Sequence, residues 1–257
     1  MCYTSEKFSD RNTPHSRFAI ITTFAFVAQV KPTGYPGNKA SYGSFQKIIN
    51  HFPPHNSFYS LCGGSGAVEF KKKLAPGMNV VFEISPAVVE KYWQWKHGYK
   101  VLNEDFFPHL QKLIKRLAPD NLIYGDVPYP FDTRRSDKIL YGVFDWTDQQ
   151  HEKFLKLAKL APCFMAISSY KNDMYDEALK GWNVIEWDVM THGGPAKEAL
   201  YMNYEPPKEL HQYDFLGEDF IERNIIKRTK KSFARKFAGY SETKRYAIMD
   251  VIQQYLK

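Results

Sequence analysis

Cysteine is scarce in this chain. Only Cys2, Cys62 and Cys163 occur, and no two share a CxxC spacing. That excludes a disulfide framework and a cysteine-rich zinc site and fits a reducing compartment, so a cytoplasmic location is expected. Long apolar runs are missing as well: the longest, residues 18–30, contains Thr22, Thr23 and Gln29 and is too short for a bilayer core of ~30 Å. No small-residue cleavage pattern follows it, and the segment before it mixes acids with bases, so neither a membrane span nor a signal peptide is expected. His51 and His55 bracket Pro53 and Pro54, which keep them off one helical face, and no metal is expected.

Acidic side chains are in deficit, with 28 against 35 basic ones, a net charge of +7 and a pI near 9.1. A polyanionic partner follows as a candidate. The excess is localised: Arg223, Lys227, Arg228, Lys230, Lys231, Arg235, Lys236, Lys244 and Arg245 fall in one stretch whose only acid is Glu242. The 44% hydrophobic and 16% aromatic content supplies a packed core and rules out wholesale disorder.

Residues 1–32 read as an N-terminal extension with no assignable fold. From residue 34 onward, short β-branched runs alternate with helical patterns, the rhythm of an α/β domain with a mostly parallel sheet. Strands are expected at 57–61, 79–83, 121–125, 163–168, 182–187 and 199–203. Thr147 and Gln150 make a capping box for a helix carrying Phe154, Leu155, Ala158 and Leu160 on one face. Two helices, 218–237 and 241–255, are expected to close the chain as a basic C-terminal segment, 216–257, after a domain spanning 33–215.

Three places carry chemistry-bearing residues. Gly63, Gly64, Ser65 and Gly66 follow the first expected strand and precede a helical pattern, where glycines let the backbone approach a ligand and a helix N-terminus adds a favourable dipole. Glu83 ends the next strand, and a carboxylate there can accept hydrogen bonds from both ribose hydroxyls of a nucleoside cofactor. No phosphate-binding lysine follows Gly66, which excludes a P-loop. Asp126-Val127-Pro128-Tyr129 ends a further strand; an acid, a proline turn and an aromatic suit a planar base, and a plain Pro/Asp turn is the blander alternative.

Taken in order, Tyr35-Pro36-Gly37-Asn38-Lys39, Gly63-Gly64-Ser65-Gly66-Ala67-Val68 and Asp126-Val127-Pro128-Tyr129 resemble the Dam-like family of DNA adenine-N6 methyltransferases. The likeness continues through Ile167-Ser168-Ser169-Tyr170, His192-Gly193-Gly194 and Glu198-Ala199-Leu200-Tyr201-Met202-Asn203. The segment from Leu216 to Arg223 is similar to the tails of small, stand-alone, phage-type members. The resemblance covers 34–257 and implies a Rossmann-like fold, helices on both faces of the sheet and S-adenosylmethionine as cofactor. It also implies that Tyr35, Lys39, Gly63, Gly64, Ser65, Gly66, Glu83, Asp105 and Asp126 contact the cofactor, with Asp105 on its adenine. Asp126 and the neighbouring carbonyls at Val127 and Pro128 would accept the amino hydrogens of a flipped adenine, and Tyr129 would stack on it.

Two departures stand out. Val127 replaces the motif's proline and frees φ, so a looser loop is expected. Ser60-Leu61-Cys62 replaces Glu-Pro-Phe and removes an acid near the methionine end of the cofactor. Both keep open an alternative: a weak or inactive DNA-binding relative that serves an active partner. Methylation of RNA or protein is a third reading. Asp105 and Asp126 stand 21 residues apart, too close for a recognition insert. Target contacts are therefore expected from 131–146, with Arg134, Arg135 and Lys138, and from Arg223, Lys227, Arg228, Lys230, Lys231 and Arg235, giving a short or relaxed target site.

Overall fold

The computed structural model describes residues 38–94, 98–133, 142–191 and 194–256, so the N-terminal extension, Tyr35, Arg134, Arg135, Lys138, His192 and Gly193 lie outside the described residues. The short β-branched runs become strands of a single sheet. In chain order the elements are α1 (Ser44–Ile49), β1 (Phe58–Ser60), β2 (Asn79–Phe82), α2 (Pro86–Gln94), β3 (Lys100–Leu102), α3 (Phe106–Ile114), β4 (Leu122–Gly125), α4 (Asp148–Ala158), β5 (Phe164–Tyr170), α5 (Asp173–Ala178), β6 (Asn183–Thr191), β7 (Gly194–Met202), α6 (Phe220–Ala238) and α7 (Glu242–Tyr255). The seven strands lie in the order β3-β2-β1-β4-β5-β7-β6. β1 through β5 pair in parallel, and β7 runs antiparallel to both β5 and β6.

Successive strand residues point to opposite faces, and each face has its own core. Phe58, Leu122, Tyr124 and Leu200 pack with Ile48 and Ile49 of α1, and Val81 on the same face packs with Val88 and Tyr92 of α2. Tyr59, Val80, Ile123 and Met165 project the other way, onto Leu110 of α3, Phe154 and Leu155 of α4 and Tyr175 of α5. The central strands are buried on both sides, as parallel strands covered by crossovers must be.

Each of the six expected strands has a counterpart. β3 was not foreseen: it is a three-residue, partly exposed edge strand with no apolar run to mark it. β6 and β7 extend well beyond their expected bounds because they form one long hairpin, in which Glu186 and Asp188 alternate with buried Trp187 and Val189. The capping box at α4 is present, Thr147 accepting from Gln150 N and Gln150 Oε1 accepting from Thr147 N. Leu160, expected on its buried face, lies past the helix end and is exposed.

No helix follows the glycines. Residues 67–72 form turns, with single bonds from Phe70 N to Gly66 O and from Lys72 N to Val68 O, and Pro76 stops further winding before β2. The expected help from a helix dipole at this loop is therefore withdrawn. The two C-terminal helices form close to their expected places, α6 capped by Asp219 and α7 by Ser241. Of their apolar side chains, Ile225 and Phe233 are exposed and Ile226 is half-buried. Among the described residues, no helix is long and apolar enough to cross a membrane, and no cluster of His, Cys, Asp or Glu could hold a metal.

Candidate functional site at the carboxyl edge of the sheet

In open parallel sheets, ligand sites form where the carboxyl ends of neighbouring strands face a shared crevice. Here Cys62 to Gly66 follow β1, Glu83 follows β2, Asp105 follows β3 and Asp126 follows β4. Four carboxylates, those of Glu83, Asp126, Asp105 and Glu69, act on the Cys62 thiol, which burial and this negative field hold well above its ordinary value.

The glycine loop is tight for two separate reasons. Gly66 has φ of 71° and Gly64 of 50°, a region that L side chains avoid. Gly63 needs space instead: a Cβ there would lie 2.5 Å from Tyr92 Oη and 2.6 Å from Val81 Cγ1. Tyr92 Oη donates to Gly63 O at 2.6 Å, tying the loop to α2. Ser65 Oγ donates to Asn38 Oδ1 at 2.9 Å, which joins the loop to the segment carrying Lys39.

Glu83 is buried. Its Oε2 accepts from Gly64 N and its Oε1 from Ser85 N, each at 2.8 Å. Burial raises its pKa and these backbone donors pull it back. Each oxygen keeps a lone pair for a further donor, which suits a vicinal pair of hydroxyls. Asp105 caps α3 through Oδ1, accepting from Phe107 N at 2.9 Å. It remains exposed, and the cap uses one of its two oxygens.

Asp126 belongs to a buried ionic network. Parallel pairing of Gly125 with Ile167 places the next residues, Asp126 and Ser168, side by side, and Ser168 Oγ donates to Asp126 Oδ1 at 2.9 Å. Lys39, reaching in from the segment before α1, donates to the same oxygen at 2.5 Å and stands 3.3 Å from Glu198 Oε1. Burial disfavours the Lys39 ammonium, but Asp126 and Glu198 outweigh it, and the net shift is upward, so the lysine stays charged. Burial raises Asp126 as well, against the pull of Lys39 and Ser168. Glu198 on β7 also accepts from Tyr129 Oη at 2.6 Å and from Ser44 Oγ at 3.0 Å, and Trp187 Nε1 donates to Ser44 Oγ at 3.0 Å.

Tyr129 is buried, its ring 4.8 Å from the Lys39 ammonium and edge-to-face with Tyr170 at 4.3 Å. Its hydroxyl is drawn inward to the buried carboxylate of Glu198. The Val127 side chain is 1% exposed and packs in the same core as Tyr59, Ile123 and Met165. His51 and His55 each hold Nδ1 2.7 Å from a carbonyl oxygen, that of Lys47 and that of Pro53 respectively.

Sequence reasoning brought Lys39, the glycines, Glu83 and Asp126 to one edge, and the structure places them there. Ser168, Ser44, Glu69 and Glu198 were missed as site residues. Ser168 and Glu198 stand inside segments that carry the family likeness. A lysine destined for burial beside one aspartate also signals that further acids must be near.

No family model matches the chain, and no curated protein matches it. Solved structures resemble it at low identity. A SAM-dependent methyltransferase from Agrobacterium tumefaciens shares 12% identity over 66% of this chain, with a TM-score of 0.43, and the chain spans 63% of that protein's length. A putative methyltransferase from Streptococcus mutans in complex with SAH shares 11% over 61% of this chain and 94% of its own, with a TM-score of 0.41. The delta-N METTL16 MTase domain shares 10% over 64% of this chain and 81% of its own, also at 0.41. The strand order, with one antiparallel strand inserted before the edge, makes this a mostly parallel, Rossmann-like α/β sheet.

Proposed function

We propose that this chain transfers a methyl group from S-adenosylmethionine to the exocyclic amino group of adenine in DNA. The observation that carries the reading is Asp126: a carboxylate at the end of β4, oriented by Lys39 and Ser168 and set across the same edge from the glycine loop and Glu83. The loop's lack of room for a Cβ at Gly63 and the paired backbone donors on Glu83 fit a nucleoside with an amino-acid arm. Glu83 would hold the ribose hydroxyls, Asp105 the adenine edge through its second oxygen, and residues 63–66 the methionine arm. When bound, the cofactor supplies an electrophilic methyl group on a sulfonium.

The protein's part is orientation. The amino nitrogen of adenine is a poor nucleophile because its lone pair is delocalised into the ring. Asp126 accepts one amino hydrogen and a backbone carbonyl of Val127 or Pro128 the other, which favours a pyramidal nitrogen with its lone pair free. Entry of that amino group displaces the Lys39 ammonium from Asp126 Oδ1 onto Glu198, already 3.3 Å away. Lys39 therefore stands in for the substrate nitrogen while the pocket waits. Burial of Asp126 raises its proton affinity, which suits it to take the proton that the methylated nitrogen sheds.

DNA is the proposed partner because the exposed face of α6 is basic. Lys227, Lys231 and Arg235, spaced by one helical turn each, are all exposed, and phosphate contacts of this kind position a protein without reading sequence.

The test is transfer of labelled methyl from S-adenosylmethionine to unmethylated duplex and single-stranded DNA, with RNA in parallel. Label in N6-methyladenine that falls at least ~100-fold in Asp126→Ala is expected, the scale of a lost proton-handling group. Absence of label on every nucleic acid, with DNA binding retained, would favour the second reading, a non-catalytic DNA-binding relative, to which Val127 and Ser60 point.

A further inference from the structure

Glu69 takes no part in the methyl-transfer step, yet it is a carboxyl group at 3% exposure three residues beyond Gly66. Ser60, the last residue of β1 and fully buried, donates its hydroxyl to Glu69 Oε1 at 2.6 Å. Tyr99 Oη donates to the Glu69 carbonyl at 3.0 Å and pins that turn. Among the described residues no cation lies within ion-pair distance of the Glu69 carboxyl. The two lysines whose charge acts on it bond elsewhere, Lys39 with Asp126 and Glu198, and Lys72 with the Lys73 carbonyl and the face of Phe58. A buried carboxylate without a cation is costly. One held in place by a fully buried serine at the end of β1, beside the glycine loop that follows it, is complementary to a ligand that brings its own positive charge.

We propose that Glu69 is the carboxylate that receives the ammonium group of the donor's amino-acid arm. The assignment rests on the reading of this cleft as an S-adenosylmethionine site. It gives the departure at Ser60 a physical meaning: the acid missing from the strand end is replaced by one nine residues on, folded back onto the very serine that took its place. Glu69 is held at about 7 by burial and the Asp126 charge, against Ser60 and Lys39. Lys72, itself lowered to about 7 by burial, and the Cys62, Tyr99 and Tyr124 side chains complete the titratable groups that feel it. An ammonium arriving beside Glu69 favours its ionised form, so binding releases a proton. Affinity should then rise with pH up to about 7 and level off above it.

Calorimetric titration with S-adenosylhomocysteine and with 5′-methylthioadenosine, which lacks the amino-acid arm, tests this directly. In Glu69→Gln, affinity for S-adenosylhomocysteine should fall about ten- to a hundred-fold, the range of a lost charged hydrogen bond. Affinity for 5′-methylthioadenosine should stay within about two-fold on the same scale. The rise of affinity towards neutral pH should vanish with it. Ser60→Ala, which keeps the acid but removes the bond that favours its charge, should move the midpoint of that rise to higher pH. Equal weakening of both ligands, no weakening of either, or an unmoved midpoint in Ser60→Ala would overturn the assignment while leaving the donor site standing. Failure of the wild-type protein to bind either ligand would overturn both.

Discussion

Lys39, Asp126 and Glu198 show how a buried charge network is kept in balance. Two carboxylates share one ammonium; Ser168 and Tyr129 donate to the same oxygens the lysine faces, and Ser44 satisfies the Glu198 oxygen it does not reach. Removing one member strands the others, a loss that runs to about 3–5 kcal/mol for buried pairs. Gly63 makes a second residue-scale point. A methyl group there meets Val81, inside the sheet, and Tyr92, whose hydroxyl is bonded to the glycine's own carbonyl, so neither side can yield easily. Gly63→Ala is expected to cost about 1–3 kcal/mol of stability, the usual range for overpacking, and to weaken donor binding by displacing the loop. Urea midpoints and calorimetry on the same variant check both; an unchanged midpoint would mean that the loop is more pliable than its packing implies.

Among the elements, α6 carries the clearest division of labour. Its basic residues repeat at helical spacing while Ile221, Ile225 and Phe233 occupy a different arc, and none of its residues is buried. If the basic arc meets duplex phosphates, the triple variant Lys227→Ala, Lys231→Ala, Arg235→Ala should reduce the slope of log affinity against log salt by about 2–3, roughly 0.9 for each phosphate no longer neutralised. Sequence preference should stay as it was. A slope identical to the wild type would remove α6 from the interface. The stretch between β1 and β2 makes the opposite case, where a helix was expected and turns were found. Those turns bring Glu69 inward beside Ser60, and a regular helix starting at Gly66 would have had to satisfy its own spacing first.

For the whole molecule, the pH response combines opposed contributions. His55 is buried at the opposite end of β1 from the glycine loop, stacked on His211 at 4.0 Å with Lys72 close by, and its Nε2 has no hydrogen-bond partner among the described residues. Burial lowers its pKa to about 2, so the unfolded chain takes up the proton first. The stability that depends on neutral His55 is present above about 6.5 and is lost as pH falls below it, at about 1.4 kcal/mol per unit. Glu69, raised to about 7, works the other way, since the folded state binds its proton more readily and gains stability as pH falls through 7. The stability difference between His55→Gln and the wild type isolates the first contribution. It should shift in favour of the variant as pH drops from 6.5 to 4.5, and a pH-independent difference would show that His55 is protonated in the folded state.

Much of this could be read from the chain alone. Short β-branched runs alternating with helical patterns determined the α/β class and six of the strands, because periodicity and burial on both faces leave a local record. The glycines, Glu83 and Asp126 were legible for a related reason: each directly follows a strand, and in a parallel sheet those positions share one edge. Tertiary structure decided what no local pattern encodes. It chose the partners of Lys39, because the register of β4 against β5 and of β5 against β7 sets Ser168 and Glu198 around a residue far away in sequence. It buried Tyr129 by offering its hydroxyl a carboxylate. It turned Glu69 onto Ser60, because a carboxyl group forced from water takes the nearest donor in space, whatever its distance along the chain.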